Sequence, residues 1–426
     1  MRLSALASLI DLLTPDRARL YAVLTIVLGL SVALYLFVTA PERLTSGVDF
    51  PAFYNAGRII LGYPRGNLYN RQLQQTLYME IAPAAAARTN LFFVYTPFFA
   101  LIFAPLALLP YLPAFACWMF ISLALFTVGF RLAWTAASLS LRHFKTGLIL
   151  ALGFLPFYSW CLLTGQTSAF GFFFLALAIY FDRKGERLAS GCALAMLLYK
   201  PTLLLLLVPM LMVTKRWRIL AGFCIGAFML GFVSLALIRP SGIPAYLDML
   251  ASFSHAKTTG QHLLFFDVDA FAFFLPFLGK YTWFAVLALA VAVMPFLIQA
   301  WRRDPAGSFA LAITWTLVLN FYVVIYDSTL IILAVVLTAG ALARPHLPRS
   351  FRWLLLLLFL VPWVARQSAQ NYGFQPMTIA LIAFGCYQLW ATLSSHRGIS
   401  IVAEVPVPEV SSPSSNLTFA ATGLTA

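Results

Sequence analysis

Six stretches of this chain, Leu20–Thr39, Leu148–Leu163, Ile219–Ile238, Tyr281–Ala300, Phe309–Ile325 and Thr378–Leu393, contain no Asp, Glu, Lys or Arg. Several approach the ~20 residues that a helix needs to cross the hydrocarbon of a bilayer. Inside lipid every backbone N–H and C=O must find a partner within the protein, so only helices and closed barrels can span. The period-2 alternation of a barrel strand is absent from these runs, which leaves helices. The rest of the chain agrees. It is 62% hydrophobic and 10% charged, whereas about a quarter of a soluble domain is charged. The expected fold class is an all-α polytopic membrane protein.

The net charge of +14 does not point to nucleic acid, because the basic residues fall in short clusters between apolar runs. That is the pattern of cytoplasmic loops. The five cysteines all sit inside apolar segments, with neither metal-ligand spacing nor a disulfide framework. Residues 3–13 read as a short interfacial helix rather than a signal peptide. Arg17 and Arg19 precede the first run and place the N-terminus inside. The clusters Arg131/Arg142/Lys145, Arg183/Lys184/Arg187, Lys215/Arg216/Arg218, Arg302/Arg303, Arg344/Arg349/Arg352 and Arg397 then set the parity of crossings.

Two segments decide the count. Phe92–Leu109 is apolar enough to span, but a crossing there would put Arg142 and Lys145 outside. Its prolines, Pro97 and Pro105, break helical hydrogen bonding, so a bent, re-entrant piece is expected. Leu188–Thr214 lies between two basic clusters and must cross twice or not at all. Two short helices broken at Lys200-Pro201 meet that requirement and bring Lys200 to the outer turn. About twelve crossings follow, with both termini cytoplasmic. The polytopic domain covers 1–394, with a first outer loop at 41–112, a second at 239–280, and a disordered tail at 395–426.

This threading concentrates polar groups outside. Asp49 follows the first span, and Pro51–Leu61 reads as an apolar helix on the interface. Arg58, Arg65, Arg71 and Arg88 come next, against the usual inside bias of basic residues. Arginine forks suit phosphate. One carboxylate among several cations suits transfer of a sugar away from a phosphate. The attacking hydroxyl needs a base, while the leaving phosphate needs cations more than a proton. Glycoside hydrolysis normally wants two carboxylates instead.

The run Val48-Asp49-Phe50-Pro51-Ala52-Phe53-Tyr54, then Leu68-Tyr69-Asn70, Val94-Tyr95-Thr96-Pro97-Phe98, Ala104-Pro105-Leu106, Gly165-Gln166, Lys200-Pro201 and Tyr326-Asp327, in that order and spacing, resembles glycosyltransferase family 87. These are the polyprenol-phosphate-mannose-dependent mannosyltransferases of the GT-C fold. Asn70 and Thr96 stand where the family pattern has Asp and Pro. The resemblance implies a GT-C-like bundle and an inverting transfer on the extracytoplasmic face of the plasma membrane. The donor would be a polyprenyl-phosphate hexose, mannose first among them, and the acceptor a lipid or glycan. It makes Asp49 the catalytic aspartate. Arg58, Lys200, Gln166, Tyr326 and Asp327 are expected to hold the donor's phosphate or sugar, and His255, Lys257 and His262 to face the acceptor.

Blander readings compete at each place. Asp49, two residues before Pro51, can simply cap a helix. Lys200 can snorkel to headgroups, and Gly165-Gln166 and Tyr326-Asp327 can close tight turns. His255 and His262 with Asp267 and Asp269 lack the i, i+4 spacing of a shared helix face, so neither metal nor cofactor is expected. A transporter or lipid flippase is the main competing function, drawing on the broken helix at Lys200-Pro201.

Overall fold

The computed structural model describes residues 14–39, 48–64, 66–87, 90–258, 264–342 and 347–394. The expected helix at 3–13, the tail at 395–426, and Arg65, Arg88, His262, Arg344 and Arg397 lie outside the described residues, as does the side chain of Lys257. The described chain is helical, relieved only by one isolated antiparallel bridge between Asp267 and Val324.

Helix α1 (Pro15–Thr39) leads to α2 (Phe50–Gly62), α3 (Arg71–Ile81), α4 (Pro97–Phe103) and α5 (Tyr111–Ala136). Next come α6 (Phe144–Leu152), α7 (Ser168–Lys184), α8 (Arg187–Ala195), α9 (Leu207–Val213) and α10 (Trp217–Thr258). The series ends with α11 (Ala270–Leu278), α12 (Thr282–Arg303), α13 (Ser308–Leu319), α14 (Ile331–Leu342), α15 (Arg349–Tyr372) and α16 (Pro376–Ser394). Among the described residues six helices are long and apolar enough to cross a membrane, or seven if the bent pair Leu141–Leu152 and Leu155–Leu162 is one span. Arg187–Tyr199, Pro201–Val213 and Ser308–Leu319 are apolar but shorter. The long-helix count therefore stops short of twelve, because several apolar runs are cut by proline or polar residues into pieces of about three turns.

Residues 92–109 contain only the seven-residue α4 and one turn of 3-10 helix. Seven residues rise roughly 10 Å, too little to cross. Leu188–Thr214 breaks at Lys200-Pro201, where Pro201 lacks the N–H that a continuous helix would use.

Residues 239–280, expected as a second outer loop, are largely helical. Helix α10 kinks at Arg239 (φ 57°, ψ 167°) and resumes to Thr258, and α11 fills Ala270–Leu278. Arg239 precedes Pro240, and a pre-proline residue is driven out of the helical region. Pro240 then takes the first position of the new segment, where a missing N–H costs little, and Pro244 lies one turn further in. The arm beyond the kink is tied back by Arg71 of α3, which pairs with Asp248 at 2.8 Å and also donates to Ser252 Oγ.

The two ends of the bundle differ in chemistry. Helix α7 finishes among basic residues, where Arg216 pairs with Asp182 at 2.6 Å and Arg183 donates to the Ala306 carbonyl at 3.0 Å. Its other end, at Ser168, meets a set of helix breaks. These are the bend and π-turn at Tyr158–Leu162, the Lys200-Pro201 break, and the extended stretch after α13. Asn320 ends α13 by accepting from its own following amides, Phe321 N at 2.9 Å and Tyr322 N at 3.2 Å. Aromatic packing surrounds these breaks, with Trp118, Phe50, Phe53, Phe93, Phe99 and Phe103 all fully buried.

Candidate active site

Asp49 reaches the site through its backbone and its neighbour. Its N–H donates to the Thr164 carbonyl at 3.1 Å, and Phe50 packs on Phe115 with ring centroids 5.2 Å apart. That approach needs a glycine at 165. Gly165 has φ +71°, and a Cβ there would stand 2.7 Å from Phe50 Cβ and 2.8 Å from the Phe115 ring. The Gly165 carbonyl is held by the Trp118 indole N–H at 2.9 Å.

Asp49 occupies the N-cap position of α2, yet its side chain makes no cap hydrogen bond. It accepts instead from Nε2 of Gln166, 117 residues away. The capping explanation therefore accounts for its position and not for its side chain. The residue as a whole is only partly buried. Burial pushes its carboxyl above the ordinary carboxylate range, while the Gln166 hydrogen bond and the Lys200 charge act in the opposite direction.

Lys200 does not snorkel. It is 5% exposed and pairs with Asp327, itself 1% exposed. The ammonium also lies over the rings of Tyr322 and Tyr326, 4.4 Å and 5.3 Å from their centroids. Asp327 accepts further hydrogen bonds from Ser168 Oγ at 3.2 Å and from the Val324 N–H at 3.1 Å. The last of these is half of a capping box. Val324 has no side-chain acceptor to supply the other half. Tyr326 lies within the electrostatic field of Tyr322, Tyr95, Asp327 and Asp49. Tyr95 in turn stacks on Tyr199, 5.9 Å between centroids and 8° between planes.

The structure thus gathers Asp49, Gln166, Lys200, Tyr326 and Asp327 from four separate breaks. Arg58 is not among them. It sits nine residues further along α2, roughly 13 Å by helical rise, and pairs with Glu80 at 2.8 Å. His255 is exposed on the outer arm of α10. Asp269 caps α11, accepting from Ala272 N and from Val323 N at 2.8 Å each. No group of three or more His, Cys, Asp or Glu placed to hold a metal ion occurs among the described residues.

Four contributors had not been singled out from sequence: Ser168, Tyr199 and Tyr322, and Tyr95 beyond its place in a motif. Ser168 was two residues from Gln166, which was signal enough to include it. Tyr322 carried none, because a ring becomes a cation's neighbour only through tertiary packing.

The site is a carboxylate on a partly buried residue beside a buried cation, walled by aromatic rings. It can accept a proton from a hydroxyl and stabilise an anion in one place. Among known protein families, the model of glycosyltransferase family 87 matches residues 93–326, more than half of the chain. The matched segment holds Gln166, Lys200 and Tyr326; Asp327 follows it directly and Asp49 precedes it. No curated protein and no solved structure matches the chain.

Proposed function

The chain belongs to glycosyltransferase family 87 and is a multi-pass membrane glycosyltransferase, and from that premise we propose that it transfers a hexose, mannose first, from a polyprenyl-phosphate donor to a lipid or glycan acceptor with inversion. Asp49 takes the proton of the attacking hydroxyl. The acceptor oxygen bonds to the anomeric carbon as the bond from that carbon to the phosphate oxygen breaks. The polyprenyl phosphate leaves as an anion, and the Lys200 ammonium balances its charge. Asp327, Ser168 and the two tyrosine faces hold that ammonium in place beforehand, so little reorganisation accompanies the charge movement. Gln166 Oε1, buried and without a donor among the described residues, receives a sugar hydroxyl.

The observation that carries this reading is the side chain of Asp49, which forgoes its own helix to meet Gln166 within the field of Lys200. Arg58, roughly 13 Å further along α2 from Asp49, is left out of the donor site and pairs with Glu80. The outer arm of α10, with His255 and Lys257 near its end, borders the acceptor side. The same reading places the site on the extracytoplasmic face of the plasma membrane, with twelve passes and both termini inside. Support for it comes from the basic end of α7 opposite the Asp49 end. A transporter would use similar broken helices, and family membership favours transfer.

Proteoliposomes loaded with radiolabelled polyprenyl-phosphate mannose and a membrane glycolipid extract provide the test. Asp49→Asn should bind donor normally and transfer no label. Label transfer at the wild-type rate would exclude Asp49 as the base.

A further inference from the structure

Gln166 sits in the turn between the π-turn and α7, and its backbone is fixed on both sides. Its N–H donates to the Cys161 carbonyl at 2.8 Å, and its carbonyl accepts from Cys161 Sγ at 3.7 Å. The side chain is 3% exposed. Its Nε2 donates to Asp49 Oδ2, and its Oε1 has no partner among the described residues. A buried acceptor left unmatched costs free energy, so an amide placed only for packing would satisfy both ends. Here the donor end alone is matched, and it is matched to a carboxylate. Asp49, for its part, lies at an N-cap where its cheapest partner would be an amide of its own helix, and that bond is missing.

We propose that Gln166 is a positioning residue for Asp49: its amide N–H engages one carboxylate oxygen, fixes the plane of the group and leaves the other oxygen to take the substrate's proton. This rests on the reading of Asp49 as the base. A hydrogen bond donated to a carboxylate favours the ionised form, so the same contact keeps the base unprotonated against the effect of burial. The other charged or titratable groups facing Asp49 are Lys200, Tyr95 and Tyr326, with Asp327 behind Lys200. Lys200 acts in the same direction as Gln166 and is untouched by a change at 166.

The test reads the carboxyl directly. In proteoliposomes of the full chain, infrared difference spectra follow the protonated-carboxyl carbonyl band with pH, and the band belonging to Asp49 is identified by its loss in Asp49→Asn. Gln166→Met keeps the side chain's length and removes the donor. Its midpoint is expected to rise by about one pH unit, equivalent to roughly tenfold less ionised carboxylate at a given pH below the midpoint. Gln166→Asn, which withdraws the amide while keeping it polar, should move the midpoint the same way and serves if the Met variant does not fold. Where donor turnover is followed, the acid limb of kcat should move with the band, and the donor KM should rise separately because the variant also loses the Oε1 that receives a sugar hydroxyl. A midpoint that is unchanged or lowered in the variant that folds overturns the proposal, even if Asp49→Asn is inactive. Transfer by Asp49→Asn would instead overturn the base assignment, so the two failures are separable.

Discussion

Replacing Lys200 by methionine strands a carboxylate that is 1% exposed, and replacing Asp327 by asparagine strands an ammonium that is 5% exposed. Breaking a buried ion pair from one side costs about 3–5 kcal/mol, because the survivor loses its compensation without regaining water. The two halves are not equally helpless. After Lys200→Met, Asp327 keeps the Ser168 hydroxyl and the Val324 amide, which puts that variant near the lower bound. After Asp327→Asn, Lys200 keeps the faces of Tyr322 and Tyr326, worth about 0.5–2 kcal/mol for a cation over a ring. The double variant Lys200→Met/Asp327→Asn removes both charges together and keeps one acceptor oxygen at position 327. Of the two donors that meet Asp327, Ser168 Oγ–H and Val324 N–H, at most one is then left without an acceptor, at about 1–3 kcal/mol. Its total cost should therefore fall below the sum of the single costs by at least about 2 kcal/mol. Equilibrium unfolding in mixed micelles titrated with dodecyl sulfate measures all four corners of the cycle. Additivity within about 0.5 kcal/mol, the behaviour of independent sites, would refute the view that these residues are held as a pair.

Three further expectations follow from the same geometry. Gly165→Ala should lose transfer and stability together: the positive φ costs an L-residue about 1–2 kcal/mol, and the methyl meets Phe50 and Phe115 at under 3 Å. Thermal unfolding and label transfer report the two losses. Arg58→Ala should leave the donor KM within about twofold and cost under ~1 kcal/mol, as expected for a partly exposed pair with Glu80; a tenfold rise in KM would bring Arg58 back into the donor site. For pH, the carboxyl of Asp49 is raised in the folded state, so the native protein binds a proton there more tightly than the unfolded chain. Its contribution to stability accordingly falls as pH rises from the ordinary value near ~3.9 to the raised one, then stays level. Asp49→Asn should abolish that slope and make the protein more stable at neutral pH while inactive, and calorimetry of both forms across pH 4–8 decides it.

What sequence reasoning reached, and where it stopped, has a common cause. The break at Lys200-Pro201 was legible because proline acts locally, through its missing N–H, wherever it stands. The prolines at 240 and 244 carried the same signal with the opposite outcome. Pro240 opens a new helical segment after the Arg239 kink and Pro244 lies within it, and no local rule says which side of a proline continues. Asp49, Gln166, Lys200 and Asp327 could be named because polar residues in apolar surroundings are conspicuous. Their partners could not, since Gln166 meets Asp49 across 117 residues and Lys200 meets Asp327 across 127. The same limit explains the arginines of the first loop. Read alone, Arg58 and Arg71 look like free cations awaiting phosphate, yet Glu80 and Asp248 complete them.

The hairpin that carries Lys200 also bears on how the chain is made. Its limbs, Arg187–Tyr199 and Pro201–Val213, are each 13 residues long, roughly 20 Å of helix against ~30 Å of hydrocarbon. Neither limb is long enough to partition on its own, and the lysine between them adds a charge that insertion scales put at about +2.5–3.5 kcal/mol. Asp327 emerges from the ribosome 127 residues later, some 6 to 25 seconds at ordinary elongation rates. For that interval the hairpin must be sheltered by helices already inserted or by the translocation machinery. The pair that holds the site in the finished protein is thus a contact that cannot form until 127 more residues have been added.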